Sequence, residues 1–74
     1  MRAVLFTFDT THMALWAEEV AGAAGITVEV MPTPPGTGAL CNLALAAAMS
    51  DREALAGILE SAGVVFREPV PLEV

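Results

Sequence analysis

The chain states one short plan twice. A strand-like stretch, a helix-like stretch, Ala-Gly and a second strand-like stretch occupy residues 2–31, and the same order returns over residues 43–68. Ala24-Gly25-Ile26-Thr27-Val28 echoes Ala62-Gly63-Val64-Val65-Phe66. Residues 2–8 are β-branched and aromatic with partial alternation, as a strand requires. Asp9, Thr10 and Thr11 follow, each able to cap a helix by accepting from a free backbone N–H. Met13, Trp16, Ala17, Val20, Ala21 and Ala24 then recur every three or four positions, which predicts one apolar helix face. Gly25 stops that helix, because it takes φ > 0 without a Cβ clash. Residues 26–31 alternate as a second strand, with Ile26, Val28 and Val30 on one face and Thr27 and Glu29 on the other.

The second half repeats this. Residues 43–49 read as a strand, although Ala46-Ala-Ala48 also suits a helix. Ser50-Asp-Arg-Glu53 has capping-box spacing and predicts the start of the second helix. Leu55, Ile58, Leu59 and Ala62 form its apolar face, and Gly63 ends it. Residues 64–68 are expected as the fourth strand, before a tail interrupted by Pro69 and Pro71. Two split β-α-β units predict an α+β, ferredoxin-like βαββαβ sandwich: a four-stranded antiparallel sheet with two helices on one face. At 74 residues the chain is expected to form a single small domain over 1–74, with a thin stability margin.

Composition narrows the function classes. The basic residues are Arg2, Arg52 and Arg67, against nine carboxylates and a net charge of −6. Nucleic-acid binding needs clustered cations to neutralise phosphates, and anionic membranes need them too, so neither partner is expected. The longest nearly apolar run, residues 39–49, contains Asn42 and is about half of the ~20 residues a membrane span needs. Asp9 interrupts the first apolar run too early for a secretory signal, and one cysteine makes no intrachain disulfide. A cytoplasmic location is the expectation. With 55% apolar residues, many of them alanine, a homodimer covering extra apolar surface is a further expectation.

The linker between the halves, Met31-Pro-Thr-Pro-Pro-Gly-Thr-Gly-Ala-Leu-Cys-Asn-Leu, carries the single cysteine, Cys41. In the expected topology the first and second strands run the same way. The linker then returns at the end where the first strand becomes the first helix, which brings Cys41 near Asp9, Thr10, Thr11 and His12. That neighbourhood has a definite chemistry. A helix N-terminus favours an anion. An imidazole such as His12 can take the thiol proton, and threonine hydroxyls can donate to a thiolate. The Asp9 carboxylate would oppose one. Each residue also has a plain structural role: Cys41 as packing, His12 as a solvated residue, Thr10 and Thr11 as caps, the prolines as a rigid turn. The lone cysteine has no close-spaced partner ligands, so no metal is expected. Gly36-Thr-Gly38 makes no phosphate-binding loop, and no cofactor is expected.

Thr10-Thr11-His12-x-Ala14-Leu15-x-Ala17-Glu18, then Pro32-Thr33-Pro34, then Cys41-x-Leu43-Ala44-Leu45, resembles the family known as domain of unknown function 3343, the selenium/sulfur carrier protein-like family. The resemblance covers nearly the whole chain in order and spacing. It implies that Cys41 accepts sulfur or selenium as a persulfide or selenosulfide and passes it on. A carrier or accessory protein, rather than a stand-alone enzyme, would work between a cysteine desulfurase-type donor and an acceptor enzyme. The expected site is Cys41 with His12, supported by Thr10, Thr11, Pro34 and Asn42. The chain makes three departures from the family pattern: Asn42 for a glycine, Pro35 for a basic residue, and Gly38-Ala39-Leu40 for a serine-bearing stretch. The alternative reading is a non-catalytic, dimeric binding or interaction module with Cys41 as packing; a thiol redox sensor is a third.

Overall fold

The computed structural model describes residues 2–73. Four strands and two helices follow in the order β1 (Arg2–Thr7), α1 (Thr11–Ala23), β2 (Val28–Pro32), β3 (Leu43–Ala48), α2 (Arg52–Ala62) and β4 (Val70–Glu73). The sheet order is β2-β3-β1-β4 and every pairing is antiparallel. This is the ferredoxin-like arrangement of two interleaved β-α-β units. Among the described residues, no helix is long and apolar enough to cross a membrane.

Strand alternation decides which side chains meet the helices. Val4 and Phe6 on β1 and Leu45 and Ala47 on β3 face the same way, because Val4 pairs with Ala47 and Phe6 with Leu45. Against them lie Ala14, Ala17 and Ala21 of α1 and Leu55 and Leu59 of α2, all buried in one cluster. Each fully buried Leu or Phe contributes roughly 1.5–3 kcal/mol of transfer free energy. Alanines let α1 approach the sheet closely. Its buried line is Ala14, Ala17 and Ala21, while Met13, Trp16 and Val20 pack half-buried beside them and Ala24 is exposed. The three-and-four spacing holds along α1, but the centre of its buried face lies on the small residues.

The termini of the helices follow local chemistry. Thr10, extended at φ −135° and ψ 149°, accepts from Met13 N–H and caps α1. The expected capping box at Ser50–Glu53 does not form. Met49–Asp51 instead make a single 3₁₀ turn, and the Asp51 side chain makes no capping bond to α2. Gly63 ends α2 in the left-handed conformation at φ 91°, with Val64 N–H returning to Leu59 C=O.

The fourth strand is displaced. Residues 64–68 were expected to pair; β4 is instead Val70–Glu73, with Pro71 inside it. Residues 64–69 carry the chain from the helix layer to the sheet edge. Phe66 packs on Phe6 with ring centroids 5.5 Å apart, and Arg67 N–H donates to Thr7 C=O. β4 tolerates Pro71 because it is an edge strand, where a missing N–H breaks no second ladder. β2 also begins later than expected, at Val28, and ends with Pro32 on the other edge.

Candidate functional site

Three connections meet at one end of the sheet: the β1–α1 junction, the β2–β3 loop and the α2–β4 segment. Backbone bonds tie them. Cys41 N–H donates to Phe8 C=O at 3.1 Å, and Thr33 N–H donates to Asn42 C=O at 2.7 Å. Leu40 N–H reaches the Asp9 carboxylate, 3.3 Å from Oδ1. The topology therefore brings Cys41 to the start of α1, although the two lie 30 residues apart along the chain at the Thr11–Cys41 contact.

Two groups address the Cys41 sulfur. Leu43 N–H, the first amide of β3, points at Sγ from 3.3 Å. Thr11 Oγ1 stands 3.7 Å from Sγ, where either atom can donate. With a thiol the sulfur can offer its proton to Thr11. With a thiolate both partners donate, and hydrogen bonds to a charged acceptor are the stronger kind. Cys41 is only 5% exposed and belongs to the main apolar cluster with Phe8 and Ala14. Leu40 beside it is 78% exposed and presents an apolar side chain outward.

The expected repulsion from Asp9 is offset by a residue that sequence reasoning missed. Arg67 Nε donates to Asp9 Oδ1 at 2.6 Å, with both side chains about two-fifths exposed. That hydrogen bond lowers the Asp9 carboxyl below its ordinary value. Partial desolvation opposes the effect, while the Leu40 N–H and the Arg67 charge add to it. Arg67 lies 58 residues from Asp9, in a stretch whose alternation looked like a strand. Only the displaced β4 carries it over the end of β1. Its guanidinium also flanks the loop, since a Cβ at Gly38 would sit 3.8 Å from Nη1. A cation thus stands by the loop. Asp9, Thr10, Met13, Val65, Phe66 and Arg67 line a cleft of about 260 Å³ next to this pair.

The other expected residues divide. Thr11 meets the sulfur, whereas the Thr10 oxygen is committed to Met13 N–H. His12 is exposed, with its ring tilted against Trp16 at 6.0 Å between centroids. One residue along a helix turns the side chain by about 100°, so Thr11 and His12 point to different faces. His12 shares its stripe with Leu15, Trp16 and Glu19, and the structure does not bring it to the thiol. Pro34 is half-buried in the loop, and Asn42 is exposed and contributes its carbonyl to Thr33. Thr33 Oγ1 is buried and has no hydrogen-bond partner among the described residues. Also among the described residues, no group of three or more His, Cys, Asp or Glu side chains is placed to hold a metal ion.

A model of the family described as "Putative Se/S carrier protein-like" matches residues 3–71. The chain belongs to that family. The match to the Se/S carrier-like family spans Asp9, Thr11, Cys41 and Arg67 and runs from Ala3 in β1 to the middle of β4. Comparison with curated proteins and with solved structures returned no match.

Proposed function

We propose that this Se/S carrier-like protein uses Cys41 to receive a single sulfur or selenium atom from one protein and hand it to another. The observation that carries the reading is the convergence of Thr11 Oγ1 and Leu43 N–H on Sγ at the start of α1. Both stabilise a sulfur anion, and family membership supplies the class of cargo.

The step balances without an added oxidant. The Cys41 thiolate attacks the outer sulfur of a donor persulfide, R–S–SH. A Cys41–S–S bond forms, the donor S–S bond breaks, and its electron pair leaves on the donor thiolate. An acceptor thiolate then attacks the outer sulfur and regenerates Cys41. Thr11 and the Leu43 amide hold negative charge on Sγ before attack and again when it leaves. A cysteine desulfurase-type enzyme would be the donor, and an acidic carrier with a net charge of −6 suits basic docking surfaces on its partners. A cytoplasmic setting would keep the thiol reduced. Thr10 serves as a cap, and we give His12 no step.

Burial favours a second reading. Cys41 at 5% exposure inside the main cluster is also what a packing residue looks like, in a domain that binds a partner or a second copy through the sheet face opposite the helices. Intact-mass measurement after incubation with a cysteine desulfurase, cysteine and pyridoxal phosphate separates the two. The carrier reading expects an adduct of one sulfur that is absent from Cys41→Ser. A wild-type chain that stays unmodified while the desulfurase turns over supports the packing reading.

A further inference from the structure

A thiol that exchanges sulfur with a protein donor must be reached, yet Cys41 is 5% exposed. The loop that carries it is held at few points. Cys41 N–H binds Phe8 C=O, and Leu40 N–H binds Asp9 Oδ1. The same Asp9 oxygen accepts from Arg67 Nε at 2.6 Å. One carboxylate oxygen therefore joins the loop to the α2–β4 segment. Arg67 is fixed in turn by its own N–H, which donates to Thr7 C=O, and its guanidinium stands against Gly38. Within the loop, Gly36 and Gly38 sit at φ 86° and 78°. A chain with two such glycines swings between conformations at little steric cost. The Thr33–Asn42 bond at its base marks where movement would stop.

We propose that Asp9 and Arg67 form a latch that keeps the Cys41 loop closed, and that releasing the latch exposes the thiol. The proposal rests on the reading of Cys41 as a transferring thiol. Asp9 and Arg67 act through the loop and touch no cargo. Their pairing is half-exposed, which suits a device that an approaching charged surface can open. A fully buried pair would be screened by salt far less.

The test uses the rate at which a small aromatic disulfide reagent modifies Cys41 in the folded chain, with no desulfurase present. Arg67→Gln removes one bond of the latch and should speed modification about two- to fivefold, the range of an exposed ion pair. Asp9→Ala also frees Leu40 N–H and should exceed Arg67→Gln, at about tenfold. Arg67→Lys keeps the charge and should lie between wild type and Arg67→Gln. Raising salt to about 1 M, where screening acts over ~3 Å, should accelerate wild type and leave Asp9→Ala unchanged. A merely structural role would not produce that salt dependence. Global stability measured in parallel by denaturant melts guards against general loosening.

Equal rates in wild type, Arg67→Gln and Asp9→Ala overturn the latch, as does an absence of reaction in all three. Acceleration fully matched by lost global stability overturns it too. Sulfur transfer to Cys41 with unchanged reagent rates would leave the carrier standing without its latch. Faster labelling with no sulfur transfer would leave the latch without the carrier.

Discussion

Replacing Gly63 probes the turn that delivers Arg67 to the site. Gly63 ends α2 at φ 91°, the left-handed region. A Cβ built there meets Trp16 at 3.7 Å, an ordinary van der Waals contact. The cost of Gly63→Ala is therefore backbone strain alone, about 1–2 kcal/mol. For a chain of this length each kcal/mol moves the melting temperature by roughly 6 °C, so a fall of about 6–12 °C is expected. Gly57 supplies the opposite control. It lies exposed within α2 with nothing within 4 Å of an added Cβ. Gly57→Ala should gain about 0.5–1 kcal/mol and raise the melting temperature by roughly 3–6 °C. Asparagine tolerates the left-handed region better than alanine, so Gly63→Asn should lose less. Circular dichroism melts of the three variants decide the matter. If Gly63→Asn and Gly63→Ala fall equally, Trp16 contact rather than backbone strain sets the cost. If Gly63→Ala melts with wild type, the reasoning about this turn is wrong. In the strained variants that still fold, loosening of residues 64–69 should also speed Cys41 labelling, because Arg67 rides on that segment.

Two further outcomes follow from single atoms. Thr33 Oγ1 is buried without a partner among the described residues, so Thr33→Val should stabilise the fold by about 1 kcal/mol in a denaturant melt; a loss of stability would show that the hydroxyl is satisfied in solution. Asp9 has its folded pKa depressed below the unfolded reference of 3.8. Its contribution is fully present above that value and is lost as pH falls through the lower folded pKa, so the stability gap between wild type and Asp9→Asn should be constant near neutrality and shrink in strong acid. A gap that widens on acidification would contradict the Asp9–Arg67 pairing.

Much of the architecture was legible because it rests on local rules. Alternation marked β1 and β2, an apolar run ahead of the next helix start marked β3, three-and-four spacing marked both helices, and Gly25 and Gly63 marked their ends at φ 79° and 91°. The misreadings came where a local signal competed with a tertiary demand. Residues 64–68 have strand composition, but the chain must first cross from α2 to the sheet edge, so Phe66 packs on Phe6 and pairing waits until Val70. Ser50–Glu53 has capping-box spacing, yet the tight exit from β3 enters α2 through a 3₁₀ turn instead. His12 adjoins Thr11 in sequence, and helical rotation sends the two to different surroundings.

The sequence by itself determined the duplicated β-α-β plan, the antiparallel sheet it implies, and the meeting of the Cys41 loop with the start of α1. Strand direction in that topology leaves the loop no other end of the sheet. Only the tertiary structure decided what surrounds the sulfur. Thr11 rather than His12 reaches Sγ, because a single residue step rotates a helix by about 100°. Arg67 rather than a loop residue supplies the nearby cation, because the displacement of β4 lays residues 64–69 across the end of β1. Fold follows from periodicities that any stretch of chain displays on its own. The site depends on distances between side chains far apart in sequence, and those exist only once the sheet has closed.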